Sequence, residues 1–306
     1  MNYVNPFAQP GQWYRGNTHA HSTVSDGVRS VTECFEDYKR QKYDFFVLTD
    51  HGEVSDVSQY SEDSFLAISG SELHPANPYG GTKYHIVAIN IHEKIEVDKK
   101  HANEVMAEVA EQGGISVLAH PYWSGHTLLD LLPLHGYFAM EVFNTTCDRL
   151  GRAISESHWD DLLDRTVPVF GIASDDCHFL YDVYQGWIMV KNSELSLDSI
   201  LNSLTQGLFY STQGPEIIDF RLEETTGSGS KTSSGKSSRI IAEFSPSVSV
   251  VFKAKSCTGK HIRAQEDQFI TEAFYDLKGD EKYVRLEITA ADGKKAWSQP
   301  IVFRTV

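Results

Sequence analysis

No apolar run in the 306 residues approaches the roughly 18 needed to span a bilayer, which argues against a transmembrane helix. The opening stretch, MNYVNPFAQPGQWYRG, lacks both a basic start and an apolar segment. It does not read as a signal peptide, and the cytoplasm is the expected compartment. Cysteine is scarce: Cys34, Cys147, Cys177 and Cys257 are widely spaced and form no CxxC pair, so reduced thiols are expected rather than a disulfide framework. Positive charge is also short, with 27 Lys and Arg against 42 Asp and Glu and a formal net charge of -15. Such a field repels nucleic-acid backbones and disfavours nonspecific binding to them.

What remains is an ordinary globular balance, 41% hydrophobic and 23% charged, long enough for one large unit and one small one. Up to about residue 213, short apolar runs alternate with helical patterns. The runs 44–48, 64–69, 85–91, 115–119, 137–143, 167–173 and 186–190 read as buried strands. Helices are expected over 31–41, where Ser30 and Glu33 form a capping-box pattern, over 97–112 before Gly113-Gly114, and over 196–206 before Gly207. This alternation predicts a parallel β/α fold, either barrel or open sheet. After Gly214-Pro215 the pattern changes to strands alone: 217–223, 239–244, 248–255, 269–275, 283–289 and 297–304, a small antiparallel sandwich. The stretch 225–238, TTGSGSKTSSGKSS, reads as a flexible hairpin loop within it. The expected domains are therefore 1–214 and 215–306.

Thirteen histidines are many for this length, and their positions are informative. His19 and His21 stand two apart, so on extended chain both imidazoles point the same way. Asp26 follows in a Ser-Asp-Gly turn. The run 45–48 leads into Asp50-His51, and the run 65–69 into Gly70-Ser71-Glu72. His85 opens the next run. The run 115–119 ends at His120-Pro121, and the run 169–173 leads to Asp176 and His178, again two apart. Five strand edges thus offer imidazole and carboxylate groups to one rim, where β/α barrels carry their chemistry. Donors of this kind, without cysteine, suit Zn, Mn or Fe.

In order and spacing, H-x-H-S-x-x-S-D-G, T-D-H-G, G-S-E, a strand-opening His, A-H-P and S-D-x-x-H resemble the signature of the PHP (polymerase and histidinol phosphatase) metallohydrolases. The resemblance spans about residues 12–215. The segments around WYRGNTHAHS and YVRLEITAADGKKAWSQPIVF are similar to a two-domain branch with a C-terminal immunoglobulin-like sandwich, which includes predicted phosphoesterases and carbaryl-hydrolase-like enzymes. The resemblance implies a distorted seven-stranded β/α (TIM-like) barrel and two or three divalent metal ions. His19, His21, Glu72 and Asp176 would hold the first, and Glu72 would bridge to a second completed by His85 and His120. Asp26, His51 and His178 would form the third, with Asp26 standing where some members have histidine. Glu72, Asp176 and His178 are then the expected catalytic groups, and Asp50 and Asp175 are candidates for orienting imidazoles, with a plain turn-stabilising role equally open for Asp175.

Two metals about 3.5–4 Å apart can share and acidify a water, which removes the need for a serine or cysteine nucleophile. Cys177 then reads as a packing residue. Arg15, Lys83, Arg149 and Arg152 are candidates for holding an anionic substrate, and Glu141 and Asn144 could face it or pack within the barrel. The expected activity is removal of phosphate from a small phosphorylated metabolite or nucleotide. Carboxyl- or carbamate-ester hydrolysis by the same metals is the alternative. A non-catalytic metal-stabilised module and a classical amidohydrolase barrel are weaker readings, the latter because it usually has a bridging lysine in mid-sequence, whereas this chain offers Glu72 and adds Asp26 and His178.

Overall fold

The computed structural model describes residues 4–225 and 237–303. Most of the expected hairpin loop, 226–236, lies outside them. The strands are β1 (Gln12–Asn17), β2 (Phe45–Leu48), β3 (Leu66–Leu73), β4 (Ile86–Ile89), β5 (Ile115–Leu118), β6 (Tyr137–Asn144), β7 (Phe170–Ser174), β8 (Trp187–Asn192) and β9 (Phe209–Thr212). They continue with β10 (Ile217–Thr225), β11 (Ser237–Ser247), β12 (Ser249–Lys253), β13 (Gly259–Arg263), β14 (Ile270–Asp276), β15 (Tyr283–Thr289), β16 (Lys295–Ser298) and β17 (Ile301–Val302). The helices are α1 (Val31–Arg40), α2 (Ala102–Glu111), α3 (Pro121–Ser124), α4 (Leu128–Leu131), α5 (Glu156–Asp164) and α6 (Leu197–Gln206).

The α/β character expected from the alternation is present. β1, β2 and β3 are parallel, as are β5, β6 and β7. β4 runs against both β3 and β5, a departure from the all-parallel expectation. The cause is the short link 74–85, which contains no helix and therefore turns the chain back rather than crossing it over. The consequence sets up the site: the carboxyl ends of six strands and the amino end of β4 share one edge. At the start of this array Gly16 lets the Phe45 ring cross β1, since a Cβ there would lie 2.0 Å from the ring.

The distorted seven-stranded barrel that the resemblance implies does not close among the described strands. β1 gives its second edge to β8, from Gln12 opposite Asn192 to Gly16 opposite Ile188, so β7 has no ladder to join there. The free edge of β7 is capped by side chains instead. Gly171 N–H donates to Gln299 Oε1, Gly171 C=O accepts from Gln299 Nε2 and Ser211 Oγ, and Ala173 N–H donates to Ser211 Oγ. Beyond their ends, the chains leaving β1 and β7 meet in one parallel bridge between Ala20 and Cys177.

The open sheet continues through β8, β9, β16, β15, β12 and β13. A second sheet, β10-β11-β14, packs on it around Phe220, Ile240, Phe244, Phe252, Leu286 and Ile288. α1 carries the expected capping box of Ser30 and Glu33. α2 is shorter than the 97–112 pattern because Lys99 adopts φ +65° just before it. α5 was not expected from the sequence. It carries Asp160 and Glu156 against the C-terminal strands, where Asp160 pairs with fully buried Arg285 and Glu156 with Lys295. No helix among the described residues is long and apolar enough to cross a membrane.

Candidate metal centre

All nine sequence-predicted donors gather at this shared edge. His19 and His21 leave β1, His51 follows β2, Glu72 sits within β3 and His85 precedes β4. His120 follows β5, Asp176 and His178 follow β7, and Asp26 reaches in from the loop after β1. Two of these residues hold left-handed backbone, His120 at φ +26° and Asp176 at φ +53°, conformations that non-glycine residues keep only where surrounding structure enforces them.

Three of the donor groups correspond to the three expected ions. In the innermost, His19 Nε2 and His21 Nε2 lie 3.1 Å apart, each 3.4 Å from Glu72 Oε2 and 3.2 and 3.0 Å from Asp176 Oδ1. Four donors held at ~2.1 Å around a tetrahedral ion would be ~3.4 Å apart, so this spacing suits a common ion. The other oxygen, Glu72 Oε1, faces the second set, 2.7 Å from His85 Nδ1 and 3.3 Å from His120 Nε2. In the outermost, Asp26 Oδ1 lies 3.5 Å from His51 Nε2, 3.3 Å from His178 Nε2 and 4.0 Å from His21 Nδ1. Glu72 thus presents one oxygen to each of two sets.

The residues fit cations on two further grounds. His21 Nδ1, His51 Nδ1 and Asp176 Oδ1 are buried with no hydrogen-bond partner, although other donors crowd round them. Groups in that state are costly unless something unseen satisfies them. The charge balance points the same way. Burial alone would lower the His19 pKa, but Asp176, Glu141 and Glu72 outweigh it and hold it well above the ordinary value. Burial alone would raise the Glu72 pKa, but the charge of His19 and the His120 and His51 imidazoles close by hold it well below. Three buried carboxylates demand positive charge here, and divalent cations meet that demand.

Around the donors, other residues fix their orientation. Glu141 does not face the cleft: it is buried and accepts from His19 Nδ1 at 2.7 Å, Ser174 Oγ at 2.5 Å, the His120 backbone N–H at 2.9 Å and Asn144 Nδ2 at 2.7 Å. Asn144 also donates to Asp176 Oδ2. Asp50 and Asp175, candidates for orienting imidazoles, do other work. Asp50 accepts from Ser22 and Ser25 and ties down the loop carrying Asp26. Asp175 accepts from Tyr38 Oη and the backbone N–H groups of Tyr184, Gln185 and Gly186, a turn-holding role. Cys177 is fully buried, and burial raises its thiol to about 12.

A cleft of about 470 Å³ opens over the donors, walled by Trp123, Thr146, Cys147, Arg149 and Phe179. Of the four cationic candidates only Arg149 lines it, stacked on Phe179 at 4.3 Å and paired with Asp182. Arg15 is sandwiched between Tyr43 and Trp187, Arg152 lies over Tyr122, and Lys83 is exposed. Sequence reasoning missed Trp123, whose ring stands edge-on to His120 at 5.0 Å, and His74, which has the same two-residue spacing from Glu72 that singled out His19 and His21.

No family model matches the chain, and no curated protein matches it by sequence. Among solved structures, it superposes on a two-domain protein from Bacteroides vulgatus containing a predicted PHP-like metal-dependent phosphoesterase. The TM-score is 0.54 and the identity 18%, over 98% of each chain. The two share one fold from end to end. A protein assigned as a metal-dependent phosphoesterase from Bifidobacterium adolescentis gives TM-score 0.41 at 15% identity, over 53% of this chain and 87% of its own. An amidohydrolase from Chromobacterium violaceum gives TM-score 0.41 at 15% identity, over 55% of this chain and 88% of its own.

Proposed function

We propose that the chain is a PHP-type metal-dependent hydrolase that removes phosphate from a small phosphorylated metabolite or nucleotide, using two or three Zn, Mn or Fe ions. The observation that carries this reading is Glu72, buried between two donor sets with one oxygen turned to each. His19, His21 and Asp176 complete the first set, His85 and His120 the second, and Asp26, His51 and His178 a third. Bound there, the ions would supply Lewis-acid stabilisation of phosphoryl charge and acidify a water. The chain's own part is to hold the donors rigid through Glu141 and Asn144 and to place Arg149 at the cleft wall, where its guanidinium meets an anionic substrate. The left-handed backbone at His120 and Asp176 aims both side chains into the cluster.

The cleft's apolar wall, Trp123 and Phe179, favours one second reading: a carboxyl- or carbamate-ester hydrolase with an apolar leaving group. Metal analysis of reconstituted protein, with p-nitrophenyl phosphate and p-nitrophenyl acetate assayed in parallel, tests both. Turnover of the phosphate with two or more ions bound is the expected result. Preference for the acetate would select the second reading, and fewer than one ion per chain would sink both.

A further inference from the structure

His74 follows directly on β3, two residues after Glu72, so on extended chain its side chain shares the face of Glu72 while Leu73 between them turns into the core. Its ring stands between two candidate ligands, 4.7 Å from the His51 ring and 4.3 Å from the His85 ring. Its Nε2 is buried, has no hydrogen-bond partner and lies 3.6 Å from Glu72 Oε2. That is too long for a hydrogen bond orienting the carboxylate, yet close to the ~3.4 Å between donors that share a tetrahedral ion. His51 Nδ1, equally buried and unpartnered, lies 2.8 Å from the same oxygen. His74 therefore joins two of the nine predicted residues, Glu72 and His51, in one group of donors.

Resting on the metallohydrolase reading above, we infer that His74 is a tenth metal ligand. Its Nε2, beside Glu72 Oε2 and the His51 ring, adds one donor to the sets that Glu72 already joins. A plain packing role would leave a ring nitrogen buried without any partner, a state that costs about 1–3 kcal/mol. A ligand role gives that nitrogen a partner. His92, exposed on the far side of β4, offers a control with no part in the cluster.

The test uses the full chain stripped of metal and titrated with Co(II), read by visible absorption and by competition with a chromophoric chelator. His74→Phe keeps the ring bulk between His51 and His85 but removes both nitrogens, and His74→Ala leaves space for free imidazole. Both variants are expected to weaken one class of bound ion by at least about tenfold and to alter the cobalt absorption bands. Imidazole should restore the bands in His74→Ala, and His92→Ala should match wild type. A residue that merely positioned its neighbours would change affinity without changing the bands or responding to imidazole, and that outcome overturns the inference. So does a His74→Phe protein with wild-type affinity and spectrum. Wild-type protein that binds no cobalt overturns the metallohydrolase reading and the inference together, which separates the two failures.

Discussion

At the scale of single residues, Glu72 carries the heaviest duty. It is 1% exposed, and five imidazoles (His19, His21, His51, His85 and His120) lie within 3.4 Å of its oxygens. Glu72→Gln keeps the shape but removes the anionic charge that these groups and any bound ions share. Hydrolysis should fall by far more than tenfold, chiefly in kcat, with the circular dichroism spectrum unchanged. Activity within about tenfold of wild type, ~1.4 kcal/mol, would refute the bridging role. Arg149 should behave differently, because it lines the cleft without touching the donors. Arg149→Ala should raise KM for a phosphate ester about tenfold, ~1.4 kcal/mol, and leave a neutral ester nearly unaffected. Equal losses on both substrates would assign it to holding the Phe179 loop through Asp182 instead. The gathering of these side chains at one edge was legible because titratable groups kept recurring at the ends of apolar runs. Glu141 was only half legible: it lies inside a strand, and its partners His19, His120, Asn144 and Ser174 come together only once four chain segments have met.

Elements were legible where local chemistry decides them and obscure where packing does. The Ser30–Glu33 box and the Gly207 cap mark helix ends by hydrogen bonds within a few residues. α5 lacks a side-chain cap, and its identity comes from what it packs against: Trp159 and Leu162 in the core, and the C-terminal strands beyond. There Glu156 accepts from Lys295 Nζ at 2.7 Å and Trp297 Nε1 at 2.8 Å. Burial alone would raise the Glu156 pKa, but Lys295 and Arg285 outweigh it and hold the carboxyl below its ordinary 4.5. A depressed folded pKa means the stabilisation is fully present above pH 4.5 and is lost as pH falls through the lower folded value. Glu156→Gln should therefore cost about 1.5–3 kcal/mol at pH 7. The gap from wild type should narrow steadily below pH 4.5. Thermal melts at pH 7, 4.5 and 3 measure it, and a gap that stays constant with pH would show that shape rather than charge holds this seam.

For the whole molecule, the alternation allowed a barrel or an open sheet and the resemblance implied a barrel; the described strands form an open sheet because β8 occupies the edge that β7 would need. That choice depends on long-range pairing between residues 12–16 and 188–192, which no local pattern announces. It also has a mechanical consequence. The segments leaving β1 and β7 are joined by the Ala20–Cys177 bridge, with His21 N–H donating to Cys177 C=O at 3.1 Å and Asp176 N–H to His19 C=O at 2.9 Å. Three of the four innermost donors sit on these same segments, so an ion held by His19, His21 and Asp176 would act as a clasp across the opening of the sheet. Without it, buried Glu72, Glu141 and Asp176 repel one another beside this bridge. Chelation should accordingly lower the melting temperature, and an ion at 100 times its Kd should return about 2.7 kcal/mol of stability. The gain should also be local. On loading with zinc or manganese, amide hydrogen exchange should slow most at 18–22 and 174–178, and far less across 237–303. Uniform protection along the chain, or a melting temperature indifferent to chelator, would mean that the sheet holds its opening shut without a metal clasp.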